Sequence, residues 1–236
     1  MIWLRSALDG FVELFYPRLC VGCGEKLFKD EQYVCLQCRS KLPLIREHEV
    51  PDNFVEQHLY GRPFIESATA LLVYGKETTV QRMVHEIKYH GAKELARSLG
   101  TMLGRQLREG RFSSVDAIVP VPLHPKRLKW RGYNQSEWFA MGLSDEMGVP
   151  VRTDWVKRVV ETSTQTKKSV EERWSNVQGI FELCEDAVPE DMAGKHLLIV
   201  DDVITTGATA MACAAAFSSV ENVRLSVASI AAVNKG

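Results

Sequence analysis

The chain has almost no net charge. Its 29 lysines and arginines are offset by 30 aspartates and glutamates, for a formal charge of -1 at pH 7. That balance excludes a bulk basic field that would draw the protein onto nucleic acid or anionic lipid, so any such contact must come from a local patch. No window approaches the roughly 20 apolar residues that a membrane-spanning helix requires. The aromatic-rich beginning, MIWLRSALDGFVELFYPRLC, is interrupted by Asp9 and Glu13 and is followed by no small-residue cleavage site. It is therefore not expected to act as a secretion signal. Leu4, Leu8, Phe11, Val12 and Phe15 recur at helical spacing, which predicts an amphipathic helix that packs on its own protein or rests on a membrane surface. The expected compartment is the cytoplasm, where a disulfide framework is disfavoured. No HExxH pair occurs, and the six histidines are read as non-ligands. Repeats and low-complexity tracts are also missing.

What is present divides into three parts. Residues 1–45 hold the helix and a cysteine cluster, 46–64 form a polar linker with proline, and 65–236 carry the main domain. Short aliphatic runs mark strands at 67–75, 115–123, 149–160, 196–203 and 223–233. Between them lie helical patterns, including 94–110 with Leu95, Leu99, Met102, Leu103 and Leu107 on one face. Others are NQSEWFAMGLSDEM (134–147) and ATAMACAAAFSSV (208–220). Near-continuous β-branched runs alternating with helices predict an α/β fold, a doubly wound parallel sheet covered on both sides.

One strand does not end as a core strand should. HLLIV runs into Asp201 and Asp202, two carboxylates that repel, and then into Ile204-Thr205-Thr206-Gly207-Ala208-Thr209 at the start of a helix. In doubly wound sheets ligands bind beyond the carboxyl ends of strands. A helix N-terminus offers backbone N–H groups and positive dipole to a phosphate. Gly207 allows close approach of the backbone, and the threonines add hydroxyl donors. Carboxylates facing sugar hydroxyls beside a phosphate cradle describe one ligand, a sugar phosphate. The alternative is a capped helix with solvated aspartates. VDDVITTGAT resembles the phosphoribosyl pyrophosphate (PRPP) loop of type I phosphoribosyltransferases. That resemblance implies that Asp201 and Asp202 bind the ribose 2- and 3-hydroxyls and that residues 205–209 hold the 5-phosphate.

After VDAIVPVPL comes HPKRLKWRGYNQSEWFA, in which Lys126, Arg127, Lys129 and Arg131 are interleaved with Trp130 and Tyr133. Because it also follows a predicted strand, this basic loop is expected on the same sheet edge. It can meet several phosphate oxygens, with arginine's planar fork suited to them, or be a solvated turn. A polar stretch near Thr164, Gln165, Lys167, Lys168 and Arg173 has the character of a lid.

Four of the six cysteines are spaced C-x2-C-x11-C-x2-C: Cys20, Cys23, Cys35 and Cys38. Four thiolates around one centre make a closed tetrahedral shell suited to structural zinc. The rival is a redox pair, disfavoured by two such pairs outside a βαβ context. Zinc removal is expected to unfold residues 1–45 and leave the α/β domain folded. Cys184 and Cys213 are expected to be small buried hydrophobes.

Together these segments resemble the ComF family over nearly the whole chain. The resemblance rests on the paired cysteines, Lys88 to Gly91, Arg131 to Gln135 after VPVPL, Gln165 with Arg173 to Val177, and the loop at 201–209. It implies a phosphoribosyltransferase-like domain with a small N-terminal helix and zinc-binding segment, and an association with natural competence and the uptake or use of DNA. Two functions remain open. One is phosphoribosyl transfer from PRPP with magnesium, with Asp201, Asp202 and Arg131 catalytic and Lys88 in the basic set. The other is a nucleic-acid-handling module that binds single-stranded DNA beside a helicase-like competence protein.

Overall fold

The computed structural model describes residues 17–59, 65–161 and 179–234. The helix expected before residue 17 and the segment with Gln165, Lys167, Lys168 and Arg173 lie outside the described residues. In chain order the strands are β1 (Ile65–Tyr74), β2 (Ala117–Pro120), β3 (Val156–Arg158), β4 (Phe181–Leu183), β5 (His196–Ile204) and β6 (Arg224–Val233). The helices are α1 (Leu36–Ser40), α2 (Phe54–Gln57), α3 (Thr79–Tyr89), α4 (Lys93–Leu107), α5 (Pro125–Arg131), α6 (Gln135–Met147) and α7 (Ala208–Ala215).

Four strands form one sheet in the order β1-β6-β5-β2, with every pairing parallel. Alternate residues serve opposite faces, as a period of two requires. Ile118, Leu198, Val200 and Ile230 enter one core, while Val119, Leu197, Ile199 and Val227 enter the other. Both faces are therefore buried, which is why these strands read as unbroken aliphatic runs. The fold is the expected α/β parallel sheet covered on both sides.

The stretch 149–160 departs from expectation. It does not add a long parallel strand. Only Val151 makes a parallel bridge, to Ile118, and Val156–Arg158 pairs antiparallel with Phe181–Leu183 as a two-stranded ribbon. Trp155, 2% exposed, fills the core beside Phe181. Asp154 and Arg152, the polar residues that interrupt the aliphatic pattern, share an exposed bidentate pair at 2.9 and 2.7 Å where the chain leaves the sheet.

The chain just before the stretch expected as a linker packs on the sheet, and so does Asn53 within that stretch. Ile45 donates to Leu71 O at 2.9 Å and Val73 donates to Pro43 O at 2.9 Å, so residues 43–45 cover the free edge of β1 and remove a row of open backbone groups. Asn53 caps α2 and donates to Ala68 O at 3.1 Å.

Helices α4 and α6 pack so closely that glycine is required at the crossing. A Cβ on Gly142 would sit 2.0 Å from Arg97 O, and one on Gly100 would sit 2.1 Å from Phe139 O. Neither contact can be relieved by a side-chain rotation. Gly142→Ala is expected to cost about 3 kcal/mol by forcing the helices apart. In a chain of this length that lowers Tm by about 10 °C, measurable by differential scanning fluorimetry.

Candidate functional site

Pro120 of β2 lies opposite Val200 of β5, so Asp201 and Asp202 start where the neighbouring strand stops. Past that point the edge is built by the first residues of α6. Asn134 caps α6 through Ser136 N and donates to Val121 O at 3.1 Å, tying the helix start to the end of β2. Asp202, 8% exposed, is held from two sides. Lys88 Nζ, from the last turn of α3, lies 2.8 Å from its Oδ1. Gln135 Nε2 donates to its Oδ2 at 2.5 Å. Arg131 Nη1 in turn donates to Gln135 Oε1. Lys88 and Arg131, expected in the basic set, and Asp202, expected at the ribose, meet in one network.

Burial and neighbouring charges shift the ionisation of several of these groups. Burial, reinforced by the adjacent Asp202 carboxylate, pushes Asp201 up to about 7. Burial alone would lower Lys88, but Asp202 and then Asp201 outweigh it and hold the ammonium charged beyond its usual range. Arg131 is lowered, chiefly by burial. Clusters of oppositely perturbed groups at a sheet edge are where ligand chemistry concentrates.

The rest of the acidic loop curves into α7. Gly207 takes φ 76 and starts the helix with no side-chain cap, so the alternative reading of 205–209 as an ordinary capped helix loses its capping residue. Thr206 Oγ1 accepts only a long bond from Ala208 N, at 3.4 Å. Thr205 and Thr209 are exposed, and Thr206 and Ala208 are half-buried. Gly207 itself is covered: a Cβ there would lie 2.4 Å from Leu59 Cδ2 and 3.2 Å from His58 O. Its lack of a side chain therefore serves the positive φ and the packing of residues 58–59, beyond the phosphate approach anticipated from sequence.

The basic segment is a helix, not a loop. His124 caps it, Pro125 opens it and Gly132, at φ 81, ends it. Helical spacing separates its cations. Lys126 pairs with Glu161 at 2.8 Å, and Lys129 is exposed. Arg127 and Arg131, one turn apart, feel each other's charge. Arg131 also lies 5.7 Å from the centroid of the Tyr89 ring.

Two members of the site were missed from sequence. Gln135, in RGYNQ, shows no role in the sequence, and Arg158 falls within an expected strand. Burial lowers Arg158, with Arg127 repelling and Asp201 attracting its charge. Only tertiary structure could have brought Arg158 to the acids. Gln135 carried a signal, as a buried polar residue at a helix start beside an arginine.

The cysteines converge as expected. The Sγ atoms of Cys20, Cys23, Cys35 and Cys38 lie within 4.8 Å of one another, and those of Cys23 and Cys35 are 3.8 Å apart. Backbone N–H groups of Gly22 and Cys35 donate to Cys20 Sγ at 3.3 and 3.2 Å. Burial opposes ionisation of Cys20, but those donors and Cys23 outweigh it and bring the thiol down to about 6. Burial and the other thiols push Cys38 up to about 12. Four sulfurs with N–H support around one point fit a closed metal shell. A Cβ on Gly22 would come 2.8 Å from Cys38 Sγ, which explains the glycine between the cysteines. Arg82 of α3 donates to Val21 O and Gly22 O at 3.0 and 2.6 Å, docking the cluster on the helix that carries Lys88. Cys213 is fully buried, as expected, and Cys184 is half-buried.

Among the described residues no helix is long and apolar enough to cross a membrane. No family model matches the chain. By fold it is similar to the glutamine PRPP amidotransferase of B. subtilis (TM-score 0.40, 18% identity, 61% of this chain and 30% of that one). It is also similar to adenine phosphoribosyltransferase from Leishmania tarentolae (TM-score 0.36, 10% identity, 59% of this chain and 71% of that one). In sequence it is 33% identical to the DNA utilization protein YhgH of Escherichia coli over 54% of this chain and 56% of that protein. It is 25% identical to competence protein ComFC of Bacillus subtilis over 78% of this chain and 77% of that protein. Identity to competence protein F of Haemophilus influenzae is 30% over 196 residues, 81% of this chain and 80% of that protein. That identity, spread over four fifths of both chains, shows that this chain belongs to the ComF family.

Proposed function

We infer that the chain is a phosphoribosyltransferase-like protein of DNA uptake or utilisation, acting in the cytoplasm. It would bind PRPP with magnesium at the β5–α7 edge and zinc at the four cysteines. One observation carries this reading: Asp201 and Asp202 stand at a strand end beside a helix start without a side-chain cap, within reach of Lys88 and the Arg131–Gln135 pair. The acids would orient the ribose hydroxyls, and Thr205, Thr206, Ala208 and Thr209 with the α7 N–H groups would hold the 5-phosphate. Arg131, Arg127 and Lys88 would meet the pyrophosphate as charge separates along the C1 bond. Magnesium, bound mainly through substrate phosphates, would neutralise the leaving group. Zinc in a closed cysteine shell would be structural.

Incubating the protein with PRPP, magnesium and each nucleobase in turn, with coupled detection of pyrophosphate, tests transfer. Release that requires an acceptor and is lost in Asp201→Asn supports it.

A second reading has its own observation. Trp130 is 70% exposed and Tyr89 52%, their rings meet edge-on at 6.1 Å, and Lys126 and Lys129 are exposed beside them. Exposed rings among cations suit stacking of single-stranded DNA, which would be handled beside a helicase-like partner. Trp130→Ala is then expected to weaken binding of a single-stranded oligonucleotide by about 1–3 kcal/mol, measured by fluorescence anisotropy. Unchanged affinity would sink this reading.

A further inference from the structure

Metal-binding side chains meet at a second place, the C-terminal end of α3. Donor atoms of His85, Glu86 and His90 all lie within 4.8 Å of one another. The absence of an HExxH motif had marked the histidines as non-ligands. That motif, however, describes two histidines on one face of a continuing helix. Here the helix stops: His90 is the C-cap, at φ -118 and ψ 16, and the three side chains converge.

An ordinary Glu–His pair one turn apart explains only part of this. His90 Nδ1 lies 2.7 Å from Glu86 Oε1, which accounts for two of the three groups. His85 is not needed for that pair, yet its ring sits edge-on to His90 with centroids 5.1 Å apart and packs on Tyr89 at 4.7 Å. Two imidazoles gathered on one carboxylate would repel each other if both were protonated. Neutral rings sharing a cation have no such conflict. The carbonyl end of the helix adds negative potential to the same point.

The geometry points to a second metal site, formed by His85, Glu86 and His90, for a first-row divalent transition ion. Two imidazole nitrogens and one carboxylate suit zinc, cobalt, nickel or copper and do not suit magnesium or calcium. Three protein donors leave coordination positions open to water or an incoming ligand, unlike the closed cysteine shell. Donors on such an ion at about 2.1 Å stand roughly 3 Å or more from one another, so the 2.7 Å His90–Glu86 contact must open as the ion enters, which small rotations of exposed side chains can supply. Lys88 lies within the same turn, so an ion here would stiffen the helix end that reaches Asp202. The site itself does not depend on what the sugar-phosphate edge binds.

The test is calorimetric titration of the full chain, without a histidine tag, with nickel(II). Absorbance is followed for thiolate-to-metal charge transfer. The expected result is one saturable equivalent of micromolar affinity with no thiolate band. It weakens by at least about tenfold in His85→Ala and in His90→Ala, and is lost in the double variant. All three groups are partly or fully exposed, so the metal-free variants should melt with the wild type. No saturable equivalent, equal binding in the double variant, or a thiolate band tracking the heat would each overturn the assignment.

Discussion

Saturating PRPP with magnesium is expected to raise the melting temperature of the wild-type chain and to leave that of Asp201→Asn unmoved. A ligand at about 100 times its Kd stabilises the folded state by about 2.7 kcal/mol, and in a chain of this size that corresponds to about 8 °C. Asp201 suits the test better than Asp202. Removing the Asp202 charge would strand Lys88, half-buried on the other side of the 2.8 Å pair, and would cost stability before any ligand was added. Asp201 has the opposite problem. Burial and Asp202 raise it to about 7 in the folded protein, so its ionisation opposes folding. The penalty is absent well below pH 4, grows as pH rises from about 4 to about 7, and is constant above that. Asn is therefore expected to leave the unliganded protein as stable, or more stable, above neutrality.

The same shift sets a pH signature. If ribose hydroxyls are gripped by an ionised Asp201, binding requires loss of its proton. Affinity for magnesium PRPP then rises about tenfold per unit below pH 7 and flattens above it. Titration by calorimetry in buffers of different ionisation heat would reveal the released proton. A flat profile from pH 6 to 8 would remove Asp201 from the ligand contact.

The second large effect is on stability. Stripping metal from the four cysteines, or replacing Cys35 by serine, is expected to unfold the cysteine segment and lower the Tm of the α/β domain by about 10 °C or more. Metal-dependent folding follows from four thiols that cannot all ionise together without a cation. Propagation follows from packing. Leu27, Val34 and Leu42 are buried in one cluster with Leu71, Leu72 and Met83 of β1 and α3, and Arg82 reaches out to Val21 and Gly22. Losing the burial of three such side chains is worth about 5–9 kcal/mol against an extended chain, and less against a compact unfolded one. The α/β domain is still expected to stay folded at room temperature without metal. The packing adds that it survives weakened. Near-ultraviolet circular dichroism with chelator, against a fluorimetric melt, measures both effects. Equal melts with and without metal would contradict the coupling.

Much of this architecture was legible because its signals are local. A strand buried on both faces is aliphatic throughout, so 196–203 and 223–233 were placed within a residue or so of the strands found. The acidic pair stood out because no core accepts two carboxylates without a reason. Four cysteines at paired spacing are a local signature of the same kind. What escaped was tertiary. Val149–Val160 carries the composition of a strand, yet Arg152 and Asp154 pair with each other and the chain turns into a ribbon. Gly207 looked like a phosphate glycine, whereas Leu59, 148 residues earlier, also rests on it. Gln135 had no visible task until Asp202 and Arg131 were seen on either side of it. Gly100 and Gly142 could have been flagged as small residues in helical patterns, but which helix each one meets is decided only by the folded chain.

A crystal structure of the chain grown with PRPP and magnesium tests the central proposal most directly. The expected density has the 5-phosphate at residues 205–209 on the start of α7 and the ribose hydroxyls on Asp201 and Asp202. The pyrophosphate should lie toward Arg131. Density on any other surface, or an empty strand edge at millimolar ligand, contradicts it.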